Sequence, residues 1–179
     1  GSYFFDDMQD AGIYIITRSS RRQWWMSKVI SMVISIIFYY LMLFLITLLI
    51  SSLWLDTSFE WSRYAKQEIL PLLKNSVSSE VLLLNMFGLL VTSSILFSTI
   101  HATLSLIIKP VFGYLVVTII IFLSVFMDSF FSPSMHSMIL RQNIFFGGAS
   151  KVIESYLYNL IPSVVLTLIG GAYFKRKDL

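Results

Sequence analysis

The chain has 179 residues, of which 56% are hydrophobic and 13% are charged, whereas a soluble domain carries roughly 25% charged residues. This composition excludes a water-soluble domain, and because the net charge is only +3 it also excludes an intrinsically disordered chain. Since the chain has no cysteine, disulfide bonds, thiol catalysis and zinc–thiolate sites are excluded as well. The sequence therefore predicts an integral membrane protein, and we expect an all-α, polytopic helix bundle.

A polar segment precedes the first long apolar stretch and has the spacing of a helix. Residues 3–25 repeat apolar side chains at helical intervals. Acidic residues lie near the start and arginines near the end, an order that complements the helix dipole. We predict an amphipathic helix at the cytoplasmic face, with Trp24 and Trp25 as anchors in the membrane interface. A helix that lies on the lipid surface without a protein partner fits the pattern equally well.

Four largely uncharged stretches follow, and each is about long enough to cross the roughly 30 Å hydrocarbon core of a bilayer. We expect four transmembrane helices, at residues 26–55, 80–108, 110–128 and 154–174. The connection between the second and the third is so short that these two helices must be antiparallel neighbours. Polar stripes on two sides of the second helix indicate that it lies at the centre of the bundle. The whole chain, 1–179, is interpreted as a single transmembrane domain.

Lysine and arginine residues predict which side of the membrane each loop occupies. The basic residues on the side of the two termini are Arg18, Arg21, Arg22, Lys28, Lys109, Lys175, Arg176 and Lys177. Fewer basic residues fall on the other side, where they are mixed with acidic ones. Both termini are therefore predicted to be cytoplasmic. Basic span ends that face anionic lipid account for the positive charge without a nucleic-acid partner.

The segment between the third and the fourth spans has a different character. Residues 132–150 combine Pro133 with an alternation of apolar and polar side chains. This pattern predicts a short helix in the outer membrane interface. Gly147 and Gly148 tolerate backbone conformations that other residues avoid, so we expect them to form a hinge.

Polar residues inside the spans mark faces that meet protein or water, because a polar side chain among lipid tails is unfavourable. The candidates for lining a translocation path are Asn85, Thr92, Thr99, His101, Asn159 and Ser163. His101 has two interpretations. It is either a proton or ligand site, or a neutral histidine that is hydrogen-bonded to a serine of a neighbouring helix.

Motifs of catalysis do not occur in the sequence, which contains no phosphate-binding loop, zinc-protease or serine-hydrolase signature. We predict no catalytic residue, no metal site and no cofactor bound by this chain. Any ATP hydrolysis, with its Mg²⁺, would then belong to a separate subunit. A membrane-embedded enzyme that uses His101 or Asp128 is the weakest alternative, because neither residue has visible partners at catalytic spacing.

Two segments at the ends of the chain resemble a known family. Arg18–Lys28, RSSRRQWWMSK, leads directly into the first span, and Gly170–Leu179, GGAYFKRKDL, closes the last one. In this order, with four spans and a hinged outer helix between them, they resemble the ABC type-2 exporter permeases. Members of that family usually have six spans, so we expect that two helices preceding Gly1 are missing from this sequence.

The resemblance implies the transmembrane permease subunit of an ATP-driven exporter in a bacterial plasma membrane. The implied partners are cytoplasmic ABC ATPase subunits with bound ATP and Mg²⁺, a second permease, identical or different, and the lipid bilayer. Residues 132–150 would correspond to an outer gate, with its hinge at Gly147 and Gly148. The coupling helix that would dock on the ATPase carries the charged residues Asp6, Asp7, Asp10, Arg18, Arg21 and Arg22.

The cargo expected from the apolar and aromatic composition is amphiphilic. An isoleucine-rich, alanine-poor composition is typical of an AT-rich bacterial genome, and together with the family resemblance it favours an antimicrobial peptide. The alternative is a non-transporting immunity, sensor or accessory subunit that binds a peptide or another membrane protein. The two hypotheses differ in whether the helix before the first span contacts an ATPase.

Overall fold

The structure is a computed structural model that describes residues 20–54, 61–73, 77–127, 129, 131–145 and 149–176. Within these ranges every regular element is helical, which confirms the predicted all-α class. The helices are α1 (Arg21–Trp54), α2 (Ser79–Ile107), α3 (Pro110–Phe126), α4 (Pro133–Ser137) and α5 (Val152–Arg176). The other described elements are a π-helical turn (Ala65–Ile69) and two 3-10 turns (Leu70–Leu72 and Ile139–Arg141).

Three of the helices, α1, α2 and α5, are long and apolar enough to cross a membrane. This agrees with the predicted membrane bundle. The fourth apolar helix, α3, has 17 residues and is about 25 Å long. It begins at Pro110, whose missing N–H suits the first turn of a helix.

The start of α1 differs from the predicted boundary between an amphipathic helix and a first span. The backbone N–H of Gln23 donates to Oγ of Ser20 (3.3 Å), and the N–H of Ser20 donates to Oε1 of Gln23 (3.2 Å). This reciprocal capping box starts the helix directly after Ser20. Arg21 and Arg22 are therefore the first residues of α1, which continues without a break past Trp25. The remaining predicted coupling residues, Asp6, Asp7, Asp10 and Arg18, lie outside the described residues.

Helix α2 is the centre of the bundle, as its two polar faces predict. It packs against α1, α3 and α5, and its most extensive contact is with α5. Only Ile108 and Lys109 separate α2 from α3, and the two helices pack side by side, which confirms the predicted neighbouring pair. Helix α2 therefore touches every other long helix of the described bundle, and α1 and α5 also pack directly on each other.

One end of the bundle, which we call the basic end, carries Arg21, Lys28, Lys109 and Lys175. Here the start of α1 and the far ends of α2 and α5 meet in a buried apolar cluster. The cluster consists of Trp24, Trp25, Val29, Ala102, Leu106 and Phe174. Trp24 and Trp25 are thus core residues, only 6% and 0% exposed, and the prediction that they are interfacial anchors is wrong. Their rings find apolar partners on α5 that a single sequence does not reveal.

The opposite end is covered by residues 132–145, which we call the capping segment. The predicted interfacial helix over 132–150 is wrong in extent, because the α-helix covers only Pro133–Ser137 and a 3-10 turn follows. Met138 has an extended backbone (φ −100°, ψ 122°) that ends the helix and turns the chain back. Gly147 and Gly148, the predicted hinge, lie outside the described residues. The N–H of Asn143 donates to the carbonyl of Ser150 (3.1 Å) and so joins the two sides of that position.

Candidate functional site

The capping segment is attached to α5 by a polar network that has no contact with solvent. His136 and Gln142 of the capping segment, and Ser155 and Asn159 of α5, are all 0% exposed. Polar side chains buried to this degree are unfavourable unless they are hydrogen-bonded. The hydrogen bonds of these four residues therefore decide how firmly the capping segment is held.

The direction of these hydrogen bonds follows from two backbone carbonyls. Nε2 of Gln142 donates to the carbonyls of Met135 (2.7 Å) and Met138 (3.3 Å), which fixes the orientation of the amide. Oε1 of Gln142 then accepts from Oγ of Ser155 (2.9 Å). Because the single hydroxyl proton of Ser155 is used there, Oγ accepts from Nδ1 of His136 (2.9 Å). The network thus assigns a proton to Nδ1 of His136.

Asn159 extends the network towards α2. Its Nδ2 donates to the carbonyl of His136 (3.2 Å) and to Oγ1 of Thr92 (3.4 Å). Its Oδ1 is buried and has no hydrogen-bond partner among the described residues. An unpaired buried acceptor carries a desolvation cost of about 1–3 kcal/mol. Among the described residues of this network, Asn159 is the one with a buried side-chain atom that lacks a hydrogen bond.

A second set of contacts attaches the capping segment to the end of α3. The hydroxyls of Ser132 and Ser134 both donate to the carbonyl of Ser124. The guanidinium of Arg141 donates to Oγ of Ser134 (3.2 Å) and to the carbonyl of Val125 (3.1 Å). These contacts give hydrogen-bond donors to carbonyls in the last turn of α3, where a helix leaves carbonyls short of partners; the carbonyl of Ser124 also accepts from the N–H of Met127 (3.4 Å).

An aromatic stack completes the attachment. The rings of His136 and Tyr158 lie 3.9 Å apart at their centroids, with an angle of 22° between their planes. The hydroxyl of Tyr158 donates to the carbonyl of Phe131 (2.8 Å). One face of the imidazole is therefore covered by α5, and the capping segment contacts α2, α3 and α5 at the same time.

A cavity of about 640 Å³ lies between α1 and α2, nearer the basic end. It is lined by one ammonium group, one imidazole, several hydroxyls and a smaller number of apolar side chains. The lining residues are Lys28, Ser31, Met32, Ser35, Ile36, Tyr39, Tyr40, Ser94, Ser98, His101 and Ala102. The hydroxyls of Tyr40 and Ser94 are 2.7 Å apart at the end of the cavity that is farther from the basic end. Its volume lies within the range of small-molecule sites.

His101 borders this cavity and is anchored to the first residue of α3. Its Nε2 lies 3.2 Å from the carbonyl of Pro110, and because a carbonyl only accepts, Nε2 carries the proton. Tyr114 meets the ring edge-on, with centroids 6.1 Å apart. The hydrogen-bond partner is thus a backbone carbonyl, and the prediction of a serine on a neighbouring helix is wrong. The alternative in which His101 takes part in ligand binding stays a prediction.

The structure divides the predicted path residues between two places. Thr92 and Asn159 are hydrogen-bonded to each other where α2 packs on α5, and Thr99 and Ser163 are buried. The hydroxyls of Thr99 and Ser163 donate to carbonyls of their own helices (2.6 Å each). Asn85 offers its carbonyl to the hydroxyl of Tyr156 (3.4 Å). Of the six, His101 alone lines the cavity between α1 and α2, so the set does not form one continuous surface in a single chain.

The residues that sequence reasoning missed are Gln142 and Ser155. Gln142 lies in a segment whose alternation suggested an interface helix, and Ser155 belongs to the first turn of the last span. Their pairing joins positions 13 residues apart across a turn, which helical periodicity does not predict. Ser20 and Gln23, by contrast, match the Ser-x-x-Gln capping signal and were recognisable.

At the basic end, the Trp25 ring packs against the backbone of α5 at Gly170 and Gly171. Its indole N–H donates to the carbonyl of Thr167 (2.9 Å). A Cβ on Gly170 would lie 2.5 Å from Cζ2 of Trp25, and one on Gly171 would lie 3.0 Å from Cδ1. The absence of side chains at this glycine pair is what lets the indole ring lie against the backbone of α5. Trp24 stacks on Phe174 with centroids 5.0 Å apart, so two consecutive tryptophans join α1 to α5.

The described residues form no group of three or more histidine, aspartate or glutamate side chains that would suit a metal ion. The structure brings together a hydrogen-bonded cap at one end, the packing of Trp24 and Trp25 on α5 at the other, which we call the tryptophan lock, and a cavity between two membrane-length helices that is lined by apolar groups and hydroxyls. These features define an all-helical membrane protein whose polar groups hold helices together and line a cavity.

The chain belongs to the DUF2705 family, because the family's profile, described as "Protein of unknown function (DUF2705)", matches residues 1–179. No curated protein and no solved structure gives a significant match to the chain.

Proposed function

We propose that this chain is the transmembrane permease subunit of an ATP-driven ABC exporter in a bacterial plasma membrane. In this proposal cytoplasmic ATPase subunits bind ATP and Mg²⁺, and a second permease, identical or different, completes the transporter. The observation that supports it best is the lock of Trp25 on Gly170 and Gly171. The lock lies directly after the segment that would contact an ATPase.

The lock gives a physical route for coupling. A force applied to the residues before Arg21 reaches α1 through its first turn and reaches α5 through Trp25 and Trp24. Packed aromatic rings transmit such a displacement because interiors are dense and deform little. One docking helix would therefore move two membrane helices together, which is the behaviour that a rigid-body switch requires.

The membrane arrangement in this proposal has four spans. Gly113, near the start of α3, contacts the His101 region of α2, while Ser124, near its end, accepts hydrogen bonds from the capping segment. Helix α3 thus extends from the basic end to the capped end, although it has only 17 residues. The concentration of lysine and arginine at the basic end favours the cytoplasm for that end, and with it for both termini.

The gate in this proposal is the outer segment 132–150, and the cargo is an amphiphile such as an antimicrobial peptide. The hydrogen bonds of Gln142, Ser155 and Asn159 support a closed state that is well held. Opening would expose these polar groups to water, which can replace their partners. A gate of this kind therefore opens at limited cost when its helices are displaced.

The test begins with the tagged full-length protein purified from its native host in mild detergent and reconstituted in nanodiscs. We expect a stoichiometric ATPase subunit and ATP turnover. Reversing two charges, Arg21→Glu with Arg22→Glu, should remove the ATPase or lower its turnover. Both residues lie in the first turn of α1, and in this proposal they belong to the segment that contacts the ATPase. Lys109→Glu at the same basic end is the matched control and should leave turnover unchanged. A protein that purifies without an ATPase contradicts the proposal.

A second candidate function is a non-transporting immunity, sensor or accessory subunit. It is favoured by the filled interface between α2 and α5, where the Tyr156 hydroxyl occupies the space next to Gly88 and Asn159 bonds Thr92. Because this interface between α2 and α5 is filled by side chains and leaves no path between these two described helices, it suits a protein that binds a partner on its surface. Purification of the chain with a non-ATPase membrane partner, or with a bound peptide, would support this candidate over the exporter.

A further inference from the structure

The cavity between α1 and α2 places hydroxyl groups beside apolar surface on a helix face within a membrane-length span. On α1 its lining residues recur at one-turn intervals from Lys28 to Tyr40, a distance of about 18 Å along the helix. On α2 the matching positions are Ser94, Ser98 and His101. Hydroxyl groups on both walls therefore face a common space between the two helices.

The lining residues include one charged side chain, a lysine. Lys28 contributes the ammonium group, and among the described lining residues there is no aspartate or glutamate. Lys28 lies eight residues into α1, about 10 Å from the helix start, and its Nζ is 5.7 Å from the Trp24 ring. The cation thus lies at the end of the cavity that is nearest the basic end.

The apolar part of the lining runs along the same groove. Ala102 of α2 lies at the basic end, Met32 and Ile36 of α1 form apolar wall further along beside the hydroxyls, and the hydrogen-bonded hydroxyls of Tyr40 and Ser94 lie at the far end. The order of the α1 lining from the basic end is therefore a cation, then hydroxyls alternating with apolar groups. A molecule that matches it has an acidic head and an apolar tail.

We infer that this cavity binds an anionic phospholipid of the surrounding bilayer, with the phosphate at Lys28 and Ser31 and the upper part of one acyl chain along Met32 and Ile36. A charge-assisted bond from an ammonium group to a phosphate oxygen is strong where water is scarce. The serine hydroxyls are uncharged and supply further hydrogen-bond donors to the phosphate. The inference does not rest on the exporter proposal, since a lipid in this groove would stabilise the α1–α2 pair in any membrane protein.

The experiment measures lipid retention and thermal stability on the full-length protein. Purified protein in detergent receives dioleoyl phosphatidylglycerol, dioleoyl phosphatidylcholine or inorganic phosphate, and bound lipid is counted by native mass spectrometry. We expect phosphatidylglycerol to be retained and to raise the Tm, phosphatidylcholine to be retained far less, and inorganic phosphate to leave the Tm unchanged. Equal retention of the two lipids overturns the inference. An equal Tm rise with inorganic phosphate would mean a free-anion site and overturns it too.

Variants separate this cavity from the general charge of the basic end. Lys28→Gln should weaken phosphatidylglycerol binding by about tenfold, the effect of losing one charge-assisted hydrogen bond. Ser98→Leu fills the cavity without changing charge and should reduce retention of the same lipid. Lys109→Gln removes an exposed lysine at the same end and should have no effect. If Lys109→Gln weakens binding as much as Lys28→Gln does, the lipid is bound by surface charge alone and the inference is wrong.

Discussion

The indole of Trp25 and the backbone of Gly170 approach so closely that a methyl group on Gly170 would lie 2.5 Å from Cζ2 of the ring. Trp25 is fully buried, and its N–H is held by the carbonyl of Thr167. The ring therefore cannot move aside without losing a hydrogen bond. The contact joins the first helix of the described bundle to the last.

Gly170→Ala should destabilise the protein by about 1–3 kcal/mol, because the added methyl group overfills a packed site. In an ordinary helical position the same change would stabilise by up to about 1 kcal/mol, so the sign of the effect is informative. Thermal unfolding in nanodiscs, followed by near-UV circular dichroism, measures it. In the Trp25→Leu background, Gly170→Ala should cost less stability than it does in the unmodified protein, because the ring that the added methyl group would meet is gone. Additive effects of the two changes would contradict the contact.

Gln142→Leu should loosen the capping segment by about 1–3 kcal/mol, because it leaves Ser155 and the Met135 carbonyl without their partners. Limited trypsin digestion measures this at the bond after Arg141, whose cleavage requires the segment to open. We expect cleavage there to rise about tenfold, while cleavage after the exposed Lys151 serves as an internal reference. Leu140→Gln, at an exposed position of the same segment, is the matched control. Equal protection in Gln142→Leu and Leu140→Gln would show that the network does not hold the segment.

Asn159→Leu should cost less stability than Gln142→Leu, although both residues are fully buried. The reason is that Asn159 has an acceptor, Oδ1, without a partner among the described residues, and leucine removes this unfavourable group. The order of the two Tm values in the same nanodisc preparation tests the point. A larger loss for Asn159→Leu would indicate that Oδ1 is satisfied by a bound water.

Single cysteines report the topology without background, because the chain has no cysteine of its own. Lys109→Cys lies just before α3, and Leu140→Cys lies in the exposed part of the capping segment. If α3 crosses the membrane and the basic end is cytoplasmic, a membrane-impermeant maleimide should label Cys at 140 in intact cells. It should label Cys at 109 only after permeabilisation. Labelling of both from outside would exclude α3 as a span.

The sequence was sufficient for the features that depend on composition and local spacing. The all-α class and the central place of α2 follow from hydropathy and polar stripes. The burial of Trp24 and Trp25 could not be predicted, because a tryptophan next to a span suits a membrane interface and a contact between two helices equally well. Only the position of Phe174, about 150 residues later in the chain, decides between them.

The capping segment was beyond prediction for a related reason. Its conformation depends on side chains that bond across turns and helices, such as Gln142 to Met135 and Asn159 to His136. Hydrophobic periodicity describes which face of a helix is apolar, but it does not describe where a buried amide finds its carbonyl. The candidate cavity was missed in the same way, since its two walls come from different helices.

The attachment points of α1 give it the mechanics of a lever. The helix is joined to α5 at Trp25 and to α2 at Tyr40, through the hydroxyl of Ser94 and the ring of Phe87. From Tyr40 the arm to Trp25 is about 22 Å long and the arm to Trp54 about 21 Å, at 1.5 Å per residue. If the helix pivots at Tyr40, a displacement of the Trp25 end reappears at the Trp54 end with nearly the same size and the opposite direction.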